Sequence, residues 1–121
     1  MSVSVKSMAE NHHEEAFDIT AAELKKRLDS GMDIQLIDVR QPGEYAFARI
    51  EGAKLIPLNE LPIRYKEIHD GRETVIYCKM GARSARAVEY LQSIGFAGTV
   101  KNLRGGITAW SNDADPRVPK Y

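Results

Sequence analysis

Short apolar runs alternate with segments of helical periodicity along this chain, and that alternation limits the fold more than any other feature of the sequence. Residues 34–39, 74–78 and 100–103 are such runs, and 54–56 is a shorter one. Residues 74–78 join Thr74, Val75, Ile76 and Tyr77 to Cys78, a β-branched and aromatic content suited to a central strand. Thr20 followed by Glu23 has the spacing of a capping box, opening a helix with Leu24 and Leu28 on one face and Gly31 as its stop. Leu61, Tyr65 and Ile68 recur at helical spacing, with Pro62 placing the helix start near Leu61. Residues 84–94 carry Ala87, Val88, Leu91 and Ile94 on one face and stop at Gly95. Residues 38–43 read as a polar loop, 107–111 as a short helix around Trp110, and the tail from Asn112, with Pro116 and Pro119, as irregular.

Strands alternating with helices demand right-handed crossovers, and so an α/β fold with a parallel sheet covered by helices on both faces. Ligands of such sheets bind beyond the carboxyl ends of the strands. Three expected strand ends therefore become candidates: Asp38, Cys78 and the turn at Arg104, Gly105 and Gly106.

Composition narrows the chemistry. A chain of 121 residues is read as one domain, large enough to bury a core without metal or disulfide staples. Residues 1–16 are polar and aperiodic, the pattern of a disordered tail or linker, and the adjacent His12 and His13 read as solvated, not as metal ligands; the folded domain is expected over 17–121. The single cysteine excludes an internal disulfide, a zinc cluster and Cys-x-x-Cys redox work. Seventeen Lys and Arg balance seventeen Asp and Glu, with no long basic run, which argues against a nucleic-acid partner. No stretch reaches the roughly 18 apolar residues of a membrane span, and the first residues lack the apolar centre of a secretory signal. The compartment expected is the cytoplasm.

Cys78 ends an expected strand and is followed by Lys79, Met80, Gly81, Ala82, Arg83 and Ser84, which lead directly into a helix. A loop running from a strand end to a helix start aims backbone N–H groups at one point, where the helix adds about half a positive charge. With Lys79, Arg83 and Arg86 nearby, a thiol of ordinary pKa about 8.5 is expected to ionise near neutral pH. On the loop alone, a plain buried strand cysteine beside a solvated helix start remains the alternative. Four residues separate Cys78 from Arg83, one fewer than in the loops of cysteine phosphatases, and the sixth position is Ser84, which has no bidentate clamp for phosphate. A cysteine protease would need His69 as its base.

These residues resemble the rhodanese family of sulfurtransferases across nearly all of 17–121. Leu36, Ile37, Asp38, Val39 and Arg40 with Glu44 and Tyr45 look like a first signature; residues 50–57, with Gly52 and Ala53, look like a second. The segment from Cys78 to Ser84 looks like the active-site loop, and Asn102 to Trp110 like the closing segment. Ala48 and Arg49 depart from the Gly and His of many members. The resemblance implies a five-stranded parallel sheet flanked by helices, no cofactor or metal, and a Cys78 persulfide formed from a donor such as thiosulfate and discharged to a thiophilic acceptor. Lys79 and Arg83 would favour an anionic donor. Asp38 and Arg40 are supporting residues: Asp38 is expected to cap the turn that follows it, and Arg40 to pair with Glu44 four residues on. Asp115, Pro116, Val118, Pro119 and Tyr121, together with residues 54–57, look similar to rhodanese domains that follow adenylylating domains. That likeness implies a ubiquitin-like sulfur carrier as a protein partner; the alternative to a small-molecule sulfurtransferase is a persulfide relay, charged by a cysteine desulfurase, with little small-molecule activity.

Overall fold

The structure, a computed structural model, describes residues 17–121. The tail with His12 and His13 lies outside the described residues. Strands β1 (Asp18–Ile19), β2 (Ile34–Asp38), β3 (Lys54–Leu55), β4 (Glu73–Tyr77) and β5 (Val100–Leu103) pair in parallel as one five-stranded sheet in the order β1-β5-β4-β2-β3. Helices α1 (Ala21–Asp29), α2 (Pro42–Phe47), α3 (Leu61–Arg64), α4 (Ala82–Ser93) and α5 (Gly106–Asp113) connect or follow them.

The period of two along each strand sorts its side chains into two cores. Ile34 and Leu36 of β2 and Val75 and Tyr77 of β4 pack with Leu24 of α1 and with Ile107 and Trp110 of α5. Ile37 of β2, Ile76 of β4 and Cys78 just beyond it pack on the other side with Leu61 of α3 and with Ala87, Val88 and Leu91 of α4. Both faces of β2 and β4 are buried, which is why these runs are apolar without alternation. Helices accordingly cover both faces of the sheet.

Local signals explain the element starts. Thr20 Oγ1 accepts the Glu23 N–H at 3.1 Å and caps α1. The segment expected as a loop at 38–43 instead enters α2. Pro42 stands in the first helical turn, and the Glu44 carboxylate accepts the Gln41 N–H at 3.0 Å. The helix expected from Leu61 through Ile68 is a single α turn flanked by 3-10 turns, Leu58–Glu60 and Tyr65–Glu67. Helix α4 begins two residues before the expected Ser84 because Gly81, at φ +116°, makes the sharp turn into it.

Chain direction places the site. From β2 the chain moves outward to β3; it then returns to β4 on the other flank of β2 and continues to β5. The order therefore reverses between β2 and β4, whose carboxyl ends lie side by side with Asp38 opposite Tyr77. The loops leaving these two strands diverge there and open a crevice.

Candidate functional site

Cys78 follows β4 directly and is buried, with 1% of its surface exposed. Its Sγ lies 3.1 Å from the Gly81 N–H and 3.3 Å from Ser84 Oγ. The loop curls tightly because Gly81 adopts a left-handed backbone and because α5 anchors it from outside. The Ile107 N–H donates to the Cys78 carbonyl at 2.9 Å, and the Thr108 N–H to the Lys79 carbonyl at 3.1 Å. In a trans peptide the N–H points opposite the C=O, so these bonds turn the Lys79 and Met80 N–H groups away from α5. Gly106 makes this approach possible: at φ +59°, a Cβ there would press into the carbonyls of Cys78 and Lys79.

Burial alone pushes the Cys78 thiol up. Hydrogen bonds from the Ser84 hydroxyl and from the backbone amides of Ser84, Gly81 and Arg83 outweigh that effect and leave the pKa below that of an ordinary thiol. Amides and a hydroxyl, more than the cations expected from the sequence, acidify this thiol. Ser84 Oγ also lies 2.5 Å from Asn102 Oδ1 and 3.2 Å from the Gly81 carbonyl. A hydroxyl has one proton to donate, so the sulfur and these two oxygens compete for it. Asn102 Nδ2 in turn approaches Asp18 Oδ1 at 3.5 Å. Asn102 sits on β5, beside β4, and reaches the loop from beneath. It belongs to the closing segment, but the sequence carries no signal that it meets Ser84.

The crevice beside the loop holds a second network. Arg40, fully buried, meets Asp38 through Nε at 2.9 and 3.1 Å and Nη2 at 2.6 Å, and Nη2 also donates to the Ala48 carbonyl at 2.6 Å. Asp38 Oδ1 accepts the Arg40 N–H at 2.9 Å, the turn cap expected of it. The expected Arg40–Glu44 pair does not form. Glu44 instead crosses the crevice to Arg83, at 2.8 and 3.0 Å, because its place in the first turn of α2 points it at the loop. Arg83 holds Glu44 well below the carboxylate range, at about 2, against a smaller opposing effect of burial. The Arg83 charge is thus half-shielded, while Lys79 stands 4.6 Å from the Tyr121 ring centroid. Met80 is exposed at the loop surface, Ala82 opens α4, and Arg86 is exposed on α4.

His69 is not part of this constellation. Its backbone N–H and carbonyl bind the Gln35 side chain, both at 3.2 Å, near the amino ends of β2 and β4, the opposite end of the sheet from Cys78. Among the described residues, no histidine is therefore placed to act as a base for Cys78. Nor does a guanidinium occupy the place a phosphatase loop would give it, since Ser84 stands there and Arg83 turns to Glu44.

Comparison with known proteins agrees with the geometry. A sulfurtransferase from Allochromatium vinosum is 44% identical over 101 residues, covering 84% of this chain and 94% of the relative. The probable adenylyltransferase/sulfurtransferase MoeZ of Mycobacterium tuberculosis is 40% identical over 105 residues, covering 85% of this chain but 26% of that longer protein. The crystal structure of a rhodanese-related protein from Thermoplasma volcanium superposes with a TM-score of 0.74 at 30% identity, over 86% of this chain and 98% of that one. With residues 20–113 matching the Rhodanese-like domain family as well, a parallel sheet whose central strand ends in a hydrogen-bonded cysteine loop places this chain in that family.

Proposed function

We propose that the protein is a sulfurtransferase that carries sulfane sulfur on Cys78 as a persulfide. The observation that supports this best is the loop itself: a lone, acidified thiol whose sulfur meets the Gly81 N–H and the Ser84 hydroxyl at the start of a 12-residue helix. In the first step the Cys78 thiolate attacks the outer sulfur of a donor such as thiosulfate. The Cys78 S–S bond forms, the donor's S–S bond breaks, and sulfite leaves with its electron pair. In the second step a thiophilic acceptor, cyanide or a thiolate, attacks the outer sulfur and the Cys78 thiolate leaves. The transfer is divided into two displacements, and donors aimed at the sulfur stabilise the anion that each one consumes or restores. Burial of the thiol and a four-residue spacing to Arg83 favour a guest as small as one sulfur atom.

Mass spectrometry after thiosulfate treatment tests the reading. One added sulfur atom on Cys78, removed by cyanide and absent in Cys78→Ala, is the expected result; an unmodified wild-type thiol overturns it.

A second reading, transfer to or from a protein, is favoured by the exposed apolar side chains in this region. Phe47 and Met80 are 60% and 67% exposed, and Phe47 packs edge-on against Tyr121. Faster sulfur uptake from a cysteine desulfurase persulfide than from thiosulfate, or discharge to a ubiquitin-like sulfur carrier, would establish it. No described helix is long and apolar enough to cross a membrane, in keeping with the cytoplasmic site of action proposed here.

A further inference from the structure

Tyr121 lies 43 positions beyond Cys78 in sequence, yet it reaches Lys79 of the active-site loop directly and Arg83 through Glu44. The chain delivers it there by a fixed path. The Asp115 N–H donates to the Trp110 carbonyl at 2.8 Å, Ser111 Oγ donates to the Val118 carbonyl at 2.7 Å, and Ala114 and Val118 pack on the core between α1 and α5. Pro116 and Pro119 stiffen the same stretch.

At the end of this path the Tyr121 hydroxyl accepts from Arg40 Nη1 and donates to Glu44 Oε2, both at 2.7 Å. Glu44 is the residue that holds Arg83. The ring of the same tyrosine lies under Lys79 Nζ at 4.6 Å and is braced edge-on by Phe47 at 6.0 Å. A lysine beside an aromatic face exchanges some of its many rotamers for one electrostatically favoured position. The buried Arg40, fixed by Asp38, supplies the rigid anchor for the hydroxyl.

We propose that Tyr121 is a positioning residue that sets the charge preference of the site: it holds Lys79 at the loop through its ring and Arg83 through Glu44, so that Cys78 reacts preferentially with anionic reagents. For the natural donor this rests on the sulfurtransferase reading. The charge preference itself belongs to the thiol and is measurable without any sulfur transfer.

The test compares alkylation of Cys78 by iodoacetate, an anion, and iodoacetamide, its neutral counterpart, in wild type, Tyr121→Phe and Tyr121→Leu. Rates are taken at a pH where the thiol is fully ionised. Removing the ring is expected to lower the iodoacetate-to-iodoacetamide ratio about 2- to 5-fold, the effect of one exposed cation–π contact, with the iodoacetamide rate unchanged. Tyr121→Phe keeps the ring and loses the hydroxyl that links Arg40 to Glu44, so it falls between wild type and Tyr121→Leu. High salt should compress all three ratios towards one value. An unchanged ratio in both variants, or an equal loss of both rates, overturns the proposal. Should Tyr121→Leu lose its fold, Tyr121→Phe decides alone. Failure of wild type to take up sulfur from thiosulfate would instead overturn the sulfurtransferase reading and leave the haloacetate ratio standing.

Discussion

Glu44 and Arg83 join the two loops that diverge at the carboxyl ends of β2 and β4, with both carboxylate oxygens engaged at 2.8 and 3.0 Å. Because Arg83 holds Glu44 down at about 2 from an ordinary 4.5, the folded state binds this proton less tightly than the unfolded chain. The sign follows from linkage: the ionised carboxylate adds stability above pH about 4.5, and this is lost as pH falls towards 2. With the side chain 22% exposed, the contribution is about 1–3 kcal/mol. Urea denaturation at pH 6 and pH 3 should show a smaller difference in Glu44→Gln than in wild type. Equal differences in the two proteins would refute the assignment.

Ser84→Ala removes a hydrogen bond to the Cys78 sulfur and leaves the Gly81 amide in place. A hydroxyl hydrogen bond favours the ionised sulfur over the neutral thiol, so the thiol pKa should rise when it is lost. In wild type the iodoacetamide rate should titrate below an ordinary thiol, and in Ser84→Ala it should titrate at higher pH than in wild type. The lowered pKa also means that ionised Cys78 adds stability at high pH and loses it as pH drops through the folded value. A Ser84→Ala titration that coincides with wild type would contradict the hydrogen-bond account.

Gly106→Ala should damage the loop without touching the thiol. A Cβ would collide with two backbone carbonyls, and the left-handed φ adds about 1–2 kcal/mol of strain. The variant is expected to melt several degrees lower and to form the Cys78 persulfide at least about tenfold more slowly, in proportion to the displaced amides. Wild-type rates with a lowered melting temperature would confine Gly106 to a packing role.

Much of this was legible in the sequence, for identifiable reasons. The strands that matter most, β2 and β4, are buried on both faces, and continuous apolar runs report that condition directly. Cys78 was legible because a strand end, a glycine and a helix start follow one another within a few residues. Helix α2 was missed although Pro42 and Glu44 carry a start signal, because its six residues bury none of their side chains and so leave no apolar period. The Arg40–Glu44 expectation came from their four-residue spacing, but Arg40 lies before α2 and turns inward to Asp38. Contacts made across the fold, Ser84 with Asn102 and Glu44 with Tyr121, leave no local trace, since each partner's neighbours are unrelated in sequence.

The Asp38–Arg40 pair supports the crevice from below. Arg40→Met would leave the Asp38 carboxylate buried without its cation, an expected cost of about 3–5 kcal/mol. Chemical denaturation should show this loss largely relieved when Asp38→Asn is added. A loss from Arg40→Met that Asp38→Asn leaves unchanged would place the damage in lost packing against Tyr77 and Tyr121 instead.

The groups that clasp the Cys78 loop, Ser84, Asn102, Gly106, Ile107 and Thr108, all follow it in the chain. During synthesis the cysteine therefore leaves the ribosome before the partners that make it acidic and enclose it. A nascent chain ending before α5 holds Gly81 and Ser84 but lacks the Ile107 and Thr108 N–H groups that fix the Cys78 and Lys79 carbonyls, so closure of the loop around the sulfur is a late event of folding. The thiol is thus made before its cradle, and the finished geometry around Cys78 is set by the last quarter of the chain.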